Sequence, residues 1–371
     1  MKILYYTGDL NSGGAQRQLI YTAVGMADLG HNVKVVINYP IYHYGIELRE
    51  KNIEVICTNT TNKNILRRLI RLNKIIKEYN PDVLHSFLGL RNLEAMIIAY
   101  KNRIKCRFAS IRNVSKNEFK YFFLYYCLST KIITNSAKAK QELLKIYRHI
   151  NRNKIVVILN GIDLNLFKNC EDKSIIRELI IKYELEKKII GIFIGRIEYQ
   201  KNHIIFFEVL ARLKKNGLLD DKIKILIIGK INDVMIYNQL IKIVKKNGIK
   251  GNIEFVGERR DVPFFLNFSN FLVLPSIFEG FPNVVMEAMA SKTFPLATDV
   301  GGTSELIHDG ETGILMKSPN FEDIYEGFYR YLIMKKEEKN LIINNCTNFI
   351  KNFTISNMVN RTLNIYKYNN S

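Results

Sequence analysis

Along the chain, short runs of β-branched and aliphatic residues alternate with longer segments whose apolar positions recur every three or four residues. In the first half the short runs are Lys2–Tyr6, Asn32–Ile37, Val55–Thr58, Val83–Phe87, Phe108–Ile111, Lys131–Asn135 and Lys154–Leu159. Helical periodicity fills most of the gaps, at Gln16–Leu29, Ile65–Tyr79, Leu93–Lys101 and Ala137–Tyr147. The second half repeats the scheme, with strands predicted at Ile189–Ile194, Lys224–Ile228, Ile253–Phe255, Phe271–Leu274 and Thr293–Ala297. Its helices are predicted at Asn202–Lys215, Val234–Asn247, Pro263–Phe268, Asn283–Ala290 and Phe321–Lys335. Alternation of this kind implies parallel sheets covered by helices, since parallel neighbours need a crossover long enough to hold one. The pattern breaks near Phe167–Ser174, at "NCEDKS". The chain therefore reads as α/β with two Rossmann-like domains, 1–168 and 169–354, facing a central cleft. A C-terminal helix at about 355–371 is expected to pack back on the first domain. Ligands of such sheets bind beyond the C-terminal ends of the strands.

Composition narrows this picture. A chain of 371 residues with 47% hydrophobic content suits two ordinary globular cores. Five scattered cysteines without a CxxC pair point to a reduced compartment and buried thiols. There is no HExxH and no Asp-x-Asp, so neither a zinc site nor a divalent metal held by paired aspartates is indicated, and no cofactor is expected. The opening "MKILYYTGDL" is too short for a secretory signal and no run of 18 apolar residues follows, which predicts a cytoplasmic protein. Charge is uneven. Residues 1–168 carry 27 Lys/Arg against 11 Asp/Glu, whereas the rest carries 28 against 24. The first half is thus expected to meet an anionic partner: nucleic acid, an anionic lipid surface or a pyrophosphate-bearing substrate.

Several short stretches carry chemistry. Gly13-Gly14, between the first strand and the first helix, would let backbone N–H groups approach an anion, with a permissive turn as the alternative. The pair is not part of a GxGxxG, so a dinucleotide is not indicated. His85 is expected at the C-terminal end of its strand, where it would bind a hydroxyl or carry a proton, with a structural role as the alternative. In "FIGRIEYQKNH", Arg196 and Lys201 share a strand-to-helix loop and combine a bidentate fork with a point charge, as a diphosphate requires, unless both are solvated surface cations. In "PSIFEGFPNVVMEAMAS", Glu279 precedes a helix start marked by Pro282, and Glu287 lies about two turns inside it. They are either two acids serving one extended ligand or an unrelated loop acid and helix acid. Gly301-Gly302 forms another tight turn, followed by Glu305.

Taken in order, the Gly-Gly turn, "GRIEYQKN", "VLPSIFEGFPNVVMEAMA", "ATDVGG" and "HDGETGIL" resemble glycosyltransferase family 4 over nearly the whole chain. That family has the GT-B fold, retains anomeric configuration and carries a Glu-x7-Glu signature, which Glu279 and Glu287 match. The resemblance implies that Arg196 and Lys201 hold a donor diphosphate, that Glu287 binds the ribose and that Glu279 contacts the sugar. It also implies that the backbone of Gly280, Phe281, Pro282, Asn283 and Val284 touches sugar and phosphates, with Gly13 and Gly14 closing over the diphosphate. His85 would meet the sugar near its C6 oxygen. The implied reaction is front-face, metal-independent transfer from a nucleotide sugar, expected to be UDP-linked.

The acceptor side is less legible. Lys63–Tyr79 places Ile65, Leu69, Leu72 and Ile76 along one stripe, and Lys63, Arg67, Arg71 and Lys74 along another. This is either a helix resting on an anionic membrane surface or one packed on the sheet. Arg112, at a strand end before an aromatic-rich helix, resembles the corresponding part of transferases that extend lipid-linked oligosaccharides. The resemblance implies that it meets the diphosphate of a polyprenyl-linked saccharide acceptor, with a hydrophobic core helix as the alternative reading of the stretch. No RRM, KH or zinc module supports nucleic-acid binding. The alternatives are a sugar-nucleotide epimerase or phosphorylase on the same fold, and a non-catalytic basic binding module.

Overall fold

A computed structural model of the chain describes all residues except 12, 42–44, 60–63, 113–120, 169, 171 and 371. The chain divides into two compact units: Met1–Gly161 together with Phe353–Ser371, and Ile162–Asn352. The division falls after Gly161, seven residues before the boundary read from the sequence. "NCEDKS" breaks the hydrophobic pattern, but the turn from one core to the other is made earlier, at "NGID".

Unit 1 holds seven parallel strands, β1 (Lys2–Thr7), β2 (Asn32–Ile37), β3 (Glu54–Cys57), β4 (Val83–Phe87), β5 (Cys106–Ile111), β6 (Lys131–Thr134) and β7 (Ile155–Val157), in the order β3-β2-β1-β4-β5-β6-β7. The central strands read as unbroken apolar runs because helices cover both faces, and β4 is buried at all five residues. β1 pairs Tyr5 with Val35 on one side and with His85 on the other. The early helices are α1 (Gly14–Asp28), α2 (Gly45–Glu50), α3 (Ile65–Tyr79) and α4 (Gly89–Lys101). One face of the sheet is covered by α1 and the C-terminal helix Ile355–Asn370, around Tyr5, Phe87, Phe108, Val359 and Tyr366. The other face is covered by α3, α4 and the helix Phe122–Leu128, around Leu4, Tyr6, Leu72, Ile76 and Phe122. α1 and the C-terminal helix approach closely at Gly25, where an added Cβ would lie 2.5 Å from a methyl of Val359.

α3 spans the predicted residues, and its predicted apolar stripe lies against the core at Leu72 and Ile76, with Leu69 half-buried beside them. Its buried side is Arg68, Leu72, Ile76 and Tyr79, whereas Ile65, Leu66 and Ile70 are exposed. Lys63 lies outside the described residues. Arg68 is fully buried because Glu94 of α4 meets it twice, Nε donating to Oε2 at 3.0 Å and Nη2 to Oε1. Arg91 and Tyr6 also donate to Glu94, at 2.8 and 2.7 Å. A buried cation is tolerated when its carboxylate is this fully hydrogen-bonded.

Unit 2 holds six parallel strands, β8 (Ile189–Ile194), β9 (Ile223–Ile228), β10 (Ile253–Gly257), β11 (Phe271–Leu274), β12 (Phe294–Thr298) and β13 (Ile314–Met316), in the order β10-β9-β8-β11-β12-β13. The three-residue β13 and the helices Leu164–Lys168, Lys173–Lys182 and Lys336–Phe349 have no counterpart in the sequence reading. Among the described residues, no helix is long and apolar enough to cross a membrane.

Candidate active site

In unit 2, the loops after β8 and β11 leave adjacent strands at the same sheet edge and are laced together. The Ile277 amide donates to the Gln200 carbonyl at 2.9 Å, and the Gln200 side chain donates to the Phe278 carbonyl at 2.8 Å. Asn202 adopts a left-handed conformation (φ 59°), which Asn tolerates better than most residues, and its amide donates to the carbonyls of Pro275 and Pro319. This frame brings together two residues that are 78 positions apart. Lys201 Nζ lies 2.6 Å from Glu279 Oε1, and Ser276 Oγ donates to the same oxygen at 2.7 Å. The Lys201 stem lies flat against Gly195, where a Cβ would meet it at 3.0 Å. Arg196 is more open, 56% exposed in its side chain, and pairs with Glu198 at 3.0 Å.

Glu279 is held from behind as well. Gly301 has φ 55°, and a Cβ there would overlap the Glu279 carbonyl oxygen. The Gly302 amide donates to the Gly280 carbonyl at 2.6 Å. The "VGG" stretch is thus a backbone brace for the Glu279-Gly280 turn, and the φ and the clearance both demand glycine. Phe281 and Pro282 are buried, with Pro282 as the N-cap, one position before the first turn expected for it. The helix Asn283–Ala290 then begins with Asn283 and Val284 half-buried, and Glu287 is buried two turns in. The first amides of this helix carry the positive end of its dipole. The two laced loops therefore offer a lysine–carboxylate pair, an exposed arginine and a helix start, which together suit a ligand bearing both hydroxyls and phosphates. Ser276 is absent from the sequence reading. Its signal was its place between a buried strand and Glu279, three residues from the acid it orients.

In unit 1, Gly13 caps α1 in an extended conformation and Gly14 is its first residue, just beyond the end of β1. Gln18 of α1 grips the exit strand's loop, exchanging two 2.9 Å hydrogen bonds with the backbone of Gly161.

His85 departs from expectation. It is the third of five residues in β4, and Phe87 holds the strand end. The sequence "VLHSF" shows a strand without marking which residue ends it. His85 is 2% exposed, stacks on Phe87 and uses both ring nitrogens, with the Tyr366 hydroxyl 2.5 Å from Nδ1 and Ser110 Oγ 2.8 Å from Nε2. Burial, with the Arg112 cation adding to it, holds its pKa well below the usual imidazole range. Arg112 immediately follows β5 and is itself buried. It lies 5.2 Å over the Phe87 ring and donates to Asn160 Oδ1 at 2.6 Å, and burial lowers its pKa to about 10. His85 and Arg112 thus belong to one enclosed cluster that ties β4, β5 and the C-terminal helix together.

Two family models match, "Glycosyltransferase Family 4" over residues 12–166 and "Glycosyl transferases group 1" over residues 175–347. An Escherichia coli protein, UDP-Gal:alpha-D-GlcNAc-diphosphoundecaprenol alpha-1,3-galactosyltransferase, is 25% identical over 85% of this chain and 82% of its own. A Campylobacter jejuni alpha-1,4-N-acetyl-D-galactosaminyltransferase named for a diNAcBac-PP-undecaprenol acceptor is 26% identical over 96% of each chain. Among solved structures, a glycosyltransferase from Rickettsia africae superposes with a TM-score of 0.87 at 24% identity, covering 99% of this chain and 98% of that one. HepE of Anabaena in complex with UDP gives 0.85 at 18% identity, covering 99% and 100%. The ordered motifs, the two parallel-sheet units and these likenesses agree: the chain belongs to glycosyltransferase family 4, with the GT-B fold, and is a glycosyltransferase.

Proposed function

We propose that the protein moves a hexosyl or N-acetylhexosaminyl group from a UDP-sugar to a saccharide carried on a polyprenyl diphosphate, with retention and without a metal, at the cytoplasmic face of a membrane. The observation that carries this reading is the Lys201–Glu279–Ser276 cluster at the start of the helix Asn283–Ala290. A nucleotide sugar presents hydroxyls to a carboxylate and a diphosphate to cations and helix amides, and all three meet where the loops after β8 and β11 are laced together. The substrate class draws support from the relatives, which are named for undecaprenyl-diphosphate acceptors.

In the proposed reaction, the acceptor hydroxyl oxygen attacks the anomeric carbon from the side the diphosphate leaves. The bond from that carbon to the β-phosphate oxygen breaks, its electron pair passes to the phosphate, and that phosphate takes the acceptor's proton. Lys201, Arg196 and the helix amides stabilise the charge that develops on the leaving group. Glu279 holds the sugar hydroxyls, Glu287 the ribose, and Gly13 and Gly14 the diphosphate. Arg112 would face the acceptor's phosphate only if its bond to Asn160 yields.

Membrane association is supported by charge and exposure. Unit 1 carries 28 Lys/Arg against 10 Asp/Glu, and unit 2 carries 27 against 25. On α3, Leu66 and Ile70 are 72% and 60% exposed, flanked by exposed Arg67, Lys74 and Lys77. Such a face suits an anionic lipid surface.

The test is a panel of UDP-, GDP- and ADP-sugars offered with and without a polyprenyl-diphosphate saccharide. UDP release that depends on the acceptor, and an NMR coupling showing a retained anomer, are expected. Release without acceptor, or turnover of the donor into its epimer, would favour the epimerase or phosphorylase reading. Glu279→Gln should lose activity, and the unsubstituted protein incubated with UDP-sugar should carry no glycosyl ester on Glu279 by peptide mass mapping, whereas such an adduct would replace front-face attack by double displacement.

A further inference from the structure

At the edge of the unit 1 sheet opposite the Gly13-Gly14 turn, α4 passes into β5 within four residues. Arg103 takes a left-handed conformation (φ 56°), and the Ile104 amide donates back to the Ala99 carbonyl at 3.0 Å. This tight turn collects Tyr100, Lys101, Arg103, Lys105 and Arg107 around an open pocket of about 470 Å³. Four of the five lining residues are cations and none is an acid.

Arg107 is fixed in place. Its Nε donates to the Leu128 carbonyl at 2.6 Å, its Nη1 to the Ile104 carbonyl, and its guanidinium lies 5.5 Å from the centre of the Tyr100 ring. Among the described residues its Nη2 carries no hydrogen bond, and Lys101, Arg103 and Lys105 form no ion pair. Two further lysines stand on the same edge: Lys131 opens β6 and donates to Asn153, and Lys154 precedes β7 and donates to Cys127. Burial, with Arg107 and Lys131 adding to it, pushes Lys154 below its ordinary pKa, so this edge is already crowded with positive charge. Asp82, just before β4, is occupied by the Lys2 amide at 2.7 Å.

A concavity that gathers cations without a counter-ion is destabilised by their repulsion and is relieved when an anion enters. Arginine fixed by its other nitrogens, with mobile lysine and arginine points around it, is the arrangement that suits phosphate oxygens. The volume exceeds that of a bare ion and leaves room for an esterified phosphate. Tyr100, 60% exposed, and Ile97 one turn earlier, 40% exposed, form an apolar lip beside the cations.

We propose that this pocket is a second phosphate-binding site, separate from the donor diphosphate site. Its ligand is a phosphate ester, supplied either by the headgroup of an anionic phospholipid or by a soluble phosphate compound. The test uses the full-length protein with UDP at saturation, so that the donor site is filled. Binding is measured in two arms: inorganic phosphate by equilibrium dialysis, and vesicles of phosphatidylglycerol against phosphatidylcholine by co-sedimentation. The variant is Arg103→Ala with Lys105→Ala, both exposed side chains. The control is Lys245→Ala with Lys246→Ala, an exposed pair on unit 2. Loss of two charge-assisted bonds should weaken at least one arm by roughly tenfold in the variant, leaving the control and UDP affinity unchanged. An effect on dialysis alone identifies a soluble phosphate ligand, and an effect on anionic vesicles alone identifies a lipid headgroup. If neither arm weakens, or if the control weakens equally, the pocket is not a phosphate site.

Discussion

Lys201 and Glu279 neutralise each other across 2.6 Å, with Ser276 on the same carboxylate oxygen. A diphosphate arriving at Lys201 would find the lysine already held in place rather than free in solvent. Lys201→Ala should therefore cost about 100-fold in kcat/KM, the scale expected for one preorganised donor to a developing charge. Ser276→Ala removes only the bond that orients Glu279 and should cost about tenfold, or 1–1.5 kcal/mol. Steady-state kinetics on both variants would check the order, and an equal loss would mean that Ser276 does more than orient the acid.

Two buried histidines make a second prediction at this scale. His203 stacks on Phe193 at 4.1 Å, and neither ring nitrogen has a partner among the described residues. Burial, with Lys201 adding to it, lowers its pKa to about 3, and His85 is shifted the same way. A depressed histidine pKa means that the unfolded chain binds more protons than the folded one below about pH 6.5, so stability rises with pH there. The stabilisation is complete above that value and is lost as pH falls from about 6.5 towards 3. His203 alone should cost about 2 kcal/mol between pH 7 and pH 5. Urea midpoints at the two pH values would show it, and His203→Phe should reduce the difference.

At the scale of elements, packing is decided by single close approaches. Gly25 admits Val359, so Gly25→Ala must separate α1 from the C-terminal helix, at an expected cost of 1–3 kcal/mol, or roughly that range. A thermal melt would measure it, and an unchanged midpoint would mean that the helices adjust freely. Elements also show where the sequence was readable. The strand runs Ile189–Ile194 and Phe271–Leu274 and the helices Ile65–Tyr79 and Asn283–Ala290 matched residue for residue, because buried parallel strands and amphipathic helices write strong patterns. β13 is too short to write one. In α3 the core-facing Leu69, Leu72 and Ile76 are legible, but the burial of Arg68 is not, since it looks like a surface residue until Glu94, 26 positions on, is known to meet it. The sequence shows β4 but not the enclosure of His85 within it, since its partners Ser110 and Tyr366 lie 25 and 281 residues away. The loops after β8 and β11 are legible because their residues are close in sequence or fall into ordered motifs. The brace from Gly301 to Glu279 was legible only as a turn.

For the whole molecule, the two units differ in how the chain builds them. Unit 2 is one continuous segment, whereas unit 1 needs residues from both ends of the sequence. Removing Phe353–Ser371 would uncover Tyr5, Phe108 and His85 together, and would take away the Tyr366 hydroxyl that meets His85. The truncated protein should lose cooperative unfolding of unit 1 while UDP still raises the melting temperature of unit 2. Calorimetry with and without UDP would separate the two, and loss of both responses would mean that the units depend on each other.

Domains usually fold in the order in which they leave the ribosome. Here the last helix supplies Val359 and Tyr366 to the core that the first strand begins. Unit 1, although its strands are made first, cannot finish until the segment that follows unit 2 has been made. During translation the later unit has its full complement of residues sooner, and the strongly basic N-terminal unit waits with one face of its sheet covered by α1 alone. The nascent chain is therefore expected to need chaperone protection at its older end, an inversion of the usual risk that follows from the placing of a single C-terminal helix.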